Sequence, residues 1–209
     1  MEAESQAKAV DRLVGFSDAV IAIAITLLAI DLPVPGGMDA GALWASVRAN
    51  DGHYAAFLIS SMVIALGWTN HHQMFLYVKR ADGRLRRLNM AWLLAVVLNP
   101  FATRMLTTKG AQSVTAHALR FGFYALLQVA ASAVLLAIMR HSAAQDLADG
   151  APSSLVARLV RSCRTTMLSF GLSIPLFFIT RYAWLLWFAV PWLLTGSDRL
   201  RQRRRSRTG

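Results

Sequence analysis

The chain has 209 residues, of which 56% are hydrophobic and 16% are charged, and its formal net charge is +11. A soluble domain of this size carries about a quarter charged residues, so the composition argues against a soluble globular protein and favours a membrane protein. The single cysteine, Cys163, excludes an intramolecular disulfide framework and a cluster of thiolate metal ligands within one chain.

Six apolar stretches follow one another along the chain, and each is interpreted as a membrane-spanning helix: 13–32, 54–78, 88–106, 118–139, 167–179 and 182–194. A hydrocarbon core of about 30 Å needs about 20 helical residues, and the first four stretches meet that length. The fifth reaches it only if its helix begins near Leu155 and carries Arg158, Arg161 and Arg164 in its cytoplasmic turns. Because helices satisfy their own backbone groups, we expect an all-α membrane protein built as a helical bundle.

The positive charges indicate how this bundle is oriented. With six spans, one side carries 17 of the 22 Lys and Arg residues, namely those of the N-terminus and of segments 79–87, 140–164 and 199–209. The positive-inside rule therefore predicts that both termini are cytoplasmic. Basic residues placed between apolar stretches mark sidedness, so we do not expect nucleic acid as a partner. We predict one channel-like membrane domain over 1–198 and a basic cytoplasmic tail over 199–209, solvated or bound to anionic lipid heads.

The first span carries polar residues within its opening turns. Phe16, Ser17 and Asp18 precede a long apolar run, and a carboxylate within a span costs about 2.5–3.5 kcal/mol at the bilayer centre and less near the interface. At about 100° per residue, Asp18 lies roughly 140° from Ile23. We therefore expect Asp18 to hold this helix against its neighbours rather than to line the surface that Ile23 lines.

One stripe of this helix is mostly aliphatic. At helical spacing it contains Ala19, Ile23, Thr26, Leu27 and Ile30, with Phe16 close by. Periodicity alone leaves two interpretations open. The stripe either faces a conduit or consists of ordinary core or lipid-facing residues.

The same residues carry a family resemblance. Its elements are Arg12, Phe16-Ser17-Asp18 and the following Ala-Ile-Ala-Ile-Thr-Leu-Leu, then Trp68, His71, His72 and Phe75, and finally Asn89 with Asn99-Pro100-Phe101. Together they resemble the prokaryotic branch of the endosomal and lysosomal potassium channel family, transmembrane protein 175. The Arg–Phe–Ser–Asp signature at the first span is the specific part, and the resemblance extends across most of the six-span region.

The resemblance implies a potassium-permeable cation channel of the plasma membrane, assembled from four identical subunits and needing no cofactor or resident metal. The first helix lines its pore, with Ile23 at the constriction and Leu27 and Ile30 on adjoining turns. Thr26 occupies the hydroxyl-bearing position associated with selectivity. Ala22 departs from relatives that carry a hydroxyl there, which puts a strong potassium preference in doubt.

The resemblance also implies that Trp68 and one second-span histidine contact the Phe-Ser-Asp region, and we choose His72 over His71. Adjacent helical residues diverge by about 100°, so the two histidines do not easily share one metal ion. The resemblance places Asn99 among the structural residues of the same motif, and Pro100 after it predicts a packing kink.

Two readings of Arg12 remain open: an anchor at the cytoplasmic headgroups, or one member of an ion pair with Asp18 or with another helix. The function also has an alternative, a proton-coupled secondary transporter that uses Asp18 and a histidine. Against it stand the missing inverted repeat and the few ionisable residues near the midplane. No nucleophile, metal-ligand set or carboxylate pair indicates an enzyme.

Overall fold

The computed structural model describes residues 2–108, 113–180 and 182–194. Seven helices make up most of this part of the chain, in the order α1 (Glu2–Ile30), α2 (Ala40–Ala49), α3 (Asp51–Phe75), α4 (Gly83–Thr107), α5 (Val114–Ala144), α6 (Ser153–Phe177) and α7 (Ala183–Leu194). The described residues form no strand, only an isolated bridge between Val78 and Ala148. The expected all-α bundle is therefore confirmed.

All six predicted apolar stretches fall on helices. Four of these helices, α1, α3, α4 and α5, are long and apolar enough to cross a membrane. The fifth prediction required a helix that begins near Leu155, and α6 does begin at Ser153 and includes the three arginines. The last helix, α7, has 12 residues, which correspond to about 18 Å, less than the hydrocarbon thickness of a bilayer.

The sequence did not predict α2. This ten-residue helix lies between the first two long helices, and Asp39 caps it by accepting a 2.8 Å hydrogen bond from the backbone N–H of Ala42. Its ten residues are too few to span a bilayer. None of them is buried, so the helix lies on the surface of the chain.

At one end of the bundle, the basic α3–α4 and α5–α6 connections bond to each other through their backbones. The backbone N–H of Lys79 donates to Leu147 O at 2.8 Å, and that of Asp149 donates to Tyr77 O at 2.9 Å. Val10 of α1 lines one pocket together with Val78 and Lys79. The start of α1, the α3–α4 connection and the α5–α6 connection therefore share one end, in agreement with the predicted alternation of spans.

The opposite end holds the other described basic residues near the membrane-crossing helices. Arg104 lies 3.5 Å from Asp31 at the end of α1, and Arg120 donates a 2.8 Å hydrogen bond to Thr108 O. Which end is cytoplasmic stays a prediction, and the predicted basic tail over 199–209 lies outside the described residues.

Candidate functional site

The first long helix has two different faces. Ser17, Ile21, Ala24 and Leu28 follow each other at spacings of four, three and four residues, and all are buried against other helices of the chain. The helices that contact α1 are chiefly α3 and α4. This face fixes the rotation of α1 about its own axis, and so it decides which residues point away from the chain.

The predicted stripe lies on the outward face. Ile23 is 59% exposed, Leu27 42% and Ile30 75%, and Ala19 and Thr26 are exposed as well. Such apolar side chains on a membrane helix must be covered by lipid or by another protein surface, since the described residues of their own chain leave them open. The structure thus brings all members of the stripe together on one uncovered face.

Thr26 is the only hydroxyl residue of this stripe. Its Oγ1 donates a 2.8 Å hydrogen bond to Ile23 O in the preceding turn, so its proton is already used. The hydroxyl oxygen keeps its lone pairs and can accept a hydrogen bond or ligate a cation. While this bond persists, Thr26 can offer its hydroxyl oxygen to a cation or to a hydrogen-bond donor, but it has no proton left to donate to another group.

A line of small residues runs beside the aliphatic residues on the exposed side of α1. Gly15, Ala19, Ala22, Thr26 and Ala29 recur at alternating spacings of four and three, and all five are exposed. Small residues allow the backbones of membrane helices to approach closely. The outward face of α1 is therefore shaped to contact another helix.

A buried polar network holds α1 against α4. Asn89 Nδ2 donates a 2.9 Å hydrogen bond to Ser17 Oγ, and Ser17 in turn donates to Leu13 O at 2.8 Å. The other end of the Asn89 amide, Oδ1, lies 2.8 Å from His71 Nε2 on α3. Three helices are thus tied together by side chains that are fully buried, where each lost bond leaves an unsatisfied group.

His71 is enclosed by aromatic rings. Its ring stacks on Trp92 with centroids 4.4 Å apart and planes 7° apart, and on Phe75 at 4.2 Å. The stacking and the bond to Asn89 fix the orientation of the imidazole. This is the arrangement expected of a structural, hydrogen-bonding histidine.

A second contact holds the carboxylate of the motif. Trp68 Nε1 donates a 2.9 Å hydrogen bond to Asp18 Oδ1, so the expected contact between Trp68 and the motif is present. Asp18 therefore holds α1 against α3, as its angle from Ile23 predicts.

Each of the two histidines reaches the motif through one intermediate side chain, so the choice of His72 stays a prediction. His72 stacks at 5.4 Å on Trp68, which bonds Asp18, and His71 bonds Asn89, which bonds Ser17. His71 falls on the buried stripe of α3 with Ser60, Ile64 and Phe75, and this periodicity was available in the sequence. The same holds for Asn89, which lies on the buried stripe of α4.

Asn99 lies in a different part of the bundle from the motif. It forms a reciprocal amide pair with Gln128 of α5, with N–O distances of 3.4 and 3.2 Å, and its backbone carbonyl accepts from Thr103. Asn89 and Asn99 are ten helical residues apart, which is about 15 Å. Asn99 is therefore a buried structural residue apart from the Phe-Ser-Asp region, and Asn89 is the asparagine that bonds to Ser17. Pro100 follows inside a continuous α4.

Arg12 and Phe16 point away from the chain. Both are exposed, and Arg12 forms no side-chain hydrogen bond or ion pair with the described residues. Asp18 Oδ1 accepts a hydrogen bond from Trp68 and makes no contact with Arg12 that would pair the two charges. Of the two readings of Arg12, the intrachain pair with Asp18 is not formed.

The described residues contain no group of three or more His, Cys, Asp or Glu side chains placed to hold a metal ion. The site consists of a polar anchor, formed by Ser17 and Asp18 with their partners, and an exposed aliphatic face on the same helix. The anchor fixes where the face points.

Comparison with known proteins matches residues 12–100 to the family of the endosomal/lysosomal potassium channel TMEM175. A potassium channel of Streptomyces collinus is 39% identical over 130 residues, which are 62% of this chain and 63% of that protein. The endosomal/lysosomal proton channel TMEM175 of Bos taurus is 34% identical over 94 residues, 40% of this chain and 20% of that protein. The chain thus spans less than two thirds of these relatives.

The fold is also similar to a solved structure over nearly its whole length. The crystal structure of a lysosomal potassium-selective channel TMEM175 homologue from Chamaesiphon minutus is 28% identical. The match covers 93% of this chain and 98% of that chain, with a TM-score of 0.70.

Proposed function

We propose that this chain belongs to the TMEM175 family, which its residues 12–100 match, and that it is a potassium-permeable cation channel whose pore is lined by α1. The family is one of channels and not of enzymes. In the channel that we propose, Ile23, Leu27 and Ile30 form the hydrophobic constriction, and four identical subunits surround one axis in the bilayer.

The observation that carries this proposal is the uncovered aliphatic face of α1. Its opposite face is fixed by Ser17 and Ile21 against the chain, so Ile23 points outward. The line of small residues next to Ile23 permits a neighbouring helix to approach, which supports contact with another subunit. Four such helices would bring their Ile23 side chains together at a common axis.

A ring of aliphatic side chains can stop ion flow through a pore even where the side chains leave a narrow opening. A narrow apolar neck expels water, and an ion that must keep or replace its hydration shell cannot cross a dry segment. Conduction then requires the neck to widen or to become more polar. Ile23 and Leu27 lie one turn apart, so the dry segment would extend over at least about 6 Å.

Thr26 is proposed to contribute to ion preference. Its hydroxyl oxygen remains available as an acceptor, and it lies on the same exposed face as the constriction. Ala22 offers no second oxygen one turn earlier. A single ring of hydroxyls gives few oxygens with which to replace a hydration shell, which fits a modest preference for potassium over sodium.

The proposed topology has six spans, with both termini in the cytoplasm and the protein in the plasma membrane. The shared end of the basic connections supports this orientation by the positive-inside rule. The fifth span is α6, whose Arg158, Arg161 and Arg164 lie in its first half, where long side chains reach the headgroups. The sixth begins with α7.

The test is ion flux through the purified protein in liposomes. We expect a potassium efflux that grows linearly with the potassium gradient and needs no proton gradient, with intact tetramers in cross-linking. Tetramers without potassium flux would refute the channel. Flux that saturates and requires a proton gradient would instead identify a proton-coupled transporter. Because the bovine relative is named a proton channel, proton flux is recorded in the same vesicles.

A further inference from the structure

A cavity of about 330 Å³ lies inside the bundle, among α3, α4, α5, α6 and α7. Its lining includes no residue of α1, so the cavity is separate from the proposed pore face. Pockets that bind small molecules in proteins have volumes of about 300–1,000 Å³, and this cavity lies at the lower end of that range. It is large enough for a molecule of moderate size.

The described lining carries no Lys, Arg, Asp, Glu or His side chain. Most of it is apolar, with the ring of Trp92 and aliphatic side chains such as Ile64, Val96 and Leu135. A charged molecule would lose its hydration here without gaining a partner charge, which is strongly unfavourable. The occupant must therefore be uncharged and mainly apolar.

A small set of polar groups nevertheless faces this space. The amides of Asn99 and Gln128 are almost fully buried and bond to each other at 3.2 and 3.4 Å. Each side-chain amide has two N–H donors and a carbonyl with two lone pairs, and the reciprocal pair uses only one donor and one lone pair of each. Both amides retain hydrogen-bonding capacity.

Ser132 adds an unused hydroxyl one turn beyond Gln128 on α5. It lines the cavity, is 8% exposed, and forms no hydrogen bond with the described part of the chain. Its hydroxyl can therefore bond to a molecule that brings a hydrogen-bonding group into the cavity. The lining also contains Asn70, Thr166 and Ser169, and each of these bonds within the chain. Among the described lining hydroxyls, Ser132 is thus the one left without an intrachain hydrogen bond.

The lining also reaches the outer surface. Met62 and Leu66 of α3 and Phe188 of α7 belong to it and are exposed large apolar residues. An apolar rim on membrane helices is open to acyl chains rather than to water. A molecule dissolved in the bilayer therefore has a way into the cavity.

We propose that this cavity is a binding site for an uncharged, lipid-soluble molecule with one hydrogen-bonding group, which enters from the bilayer between α3 and α7. The apolar part of the molecule lies along Trp92 and the aliphatic side chains, and its polar group bonds to Ser132 and the Asn99–Gln128 pair. This site does not depend on α1 lining a pore, so a failure of one proposal leaves the other standing.

Photolabelling tests the site, with a diazirine-bearing octanol as the probe and the full chain in liposomes. We expect labels concentrated on cavity-lining peptides of α3, α5 and α7, and saturation as the probe concentration rises. Octan-1-ol should compete more strongly than octane, because only the alcohol can bond to the polar groups. Labels spread without saturation over all exposed faces would overturn the proposal, as would equal competition by the two compounds.

Two neighbouring alanines of α5 provide a matched pair of variants. Ala131 lines the cavity, whereas Ala130 is exposed on the outer surface. Ala131→Leu fills the cavity and should reduce the labelling several-fold, and Ala130→Leu should leave it unchanged. Equal labelling of the two variants would contradict the site.

Removal of the free hydroxyl provides an independent test that the fold should tolerate. Ser132→Ala removes no hydrogen bond with the described residues of the chain. We expect this variant to reduce the advantage of octanol over octane as a competitor of labelling. An unchanged difference would exclude Ser132 as the group that receives the ligand.

Discussion

Asn89 of α4 donates a 2.9 Å hydrogen bond to the hydroxyl of Ser17 on α1, and both side chains are fully buried. This bond lies near the middle of α1, six residues before Ile23. Because the helix is rigid, the rotation fixed at Ser17 also determines the direction in which Ile23 points. The network of Asn89 and Ser17 thus couples the sequence signature to the proposed constriction.

Substitution of Asn89 should destabilise the bundle. Asn89→Leu leaves His71 Nε2 and the acceptor capacity of Ser17 Oγ without a partner, and we expect a loss of about 1–3 kcal/mol in the free energy of unfolding. A double-mutant cycle with Ser17→Ala, measured by denaturant unfolding in micelles, isolates their coupling. Strictly additive effects of the two substitutions would show that the bond contributes nothing.

The contact between Trp68 and Asp18 should require an acceptor rather than a negative charge. Asp18→Asn retains an oxygen for the 2.9 Å bond from Trp68 Nε1, so its thermal stability should stay near that of the parent. Trp68→Phe removes the donor and should cost about 1 kcal/mol or less, because the pair is partly exposed. A large loss in Asp18→Asn alone would instead assign the negative charge itself a role.

Two adjacent serines of α3 should differ sharply in their effect. Ser60 Oγ lies 2.7 Å from Thr103 Oγ1 and 3.0 Å from Tyr124 Oη, while Ser61 Oγ is buried without a partner in the described chain. Ser60→Ala should lower the free energy of unfolding by about 1–2 kcal/mol, and Ser61→Ala should leave it unchanged or raise it. Thermal melts of the two variants check this, and equal losses would refute the hydrogen-bond explanation.

Acid should weaken the start of α4. The backbone N–H of Leu85 and then the His141 side chain lower the pKa of Asp82 below its ordinary value of 3.8. A carboxylate with a depressed pKa contributes stability that is present above pH 3.8 and is lost as pH falls through the folded-state value.

Asp82→Asn provides the control, since asparagine also caps a helix but does not titrate. Melting temperatures between pH 2 and 6 should show a steeper decline on the acid side for the parent than for this variant. Parallel curves would show that Asp82 does not contribute to the acid dependence.

The sequence predicts the fold well because its strongest signal, long apolar runs, is also what a membrane requires. The helices with runs of about 20 apolar residues, and the start of α6 before Leu155, follow from length and charge alone. The ten-residue α2 was not predicted, because its apolar run is too short to span a membrane and therefore gives no signal of a membrane-spanning helix. Its start depends on the local cap at Asp39.

Prediction of the site from sequence was less complete. That Ile23, Leu27 and Ile30 share one face follows from helical spacing, which one helix determines by itself, whereas the outward direction of this face does not. The partners of the motif depend on which residues of different helices meet. Nothing within a single helix encodes that meeting, since the buried stripe of α4 contains both Asn89 and Asn99 and only Asn89 bonds to Ser17.

Conductance of Ile23→Asn, compared with Leu126→Asn, tests the central claim most directly. Leu126 is 58% exposed on α5, close to the 59% of Ile23, so the two substitutions place the same amide at equally exposed positions on different helices. In planar bilayers, Ile23→Asn should raise the potassium current and reduce the preference over sodium, because an amide wets the neck. Leu126→Asn should match the parent. An unchanged current in Ile23→Asn, or equal changes in both variants, would show that α1 does not form the constriction at Ile23.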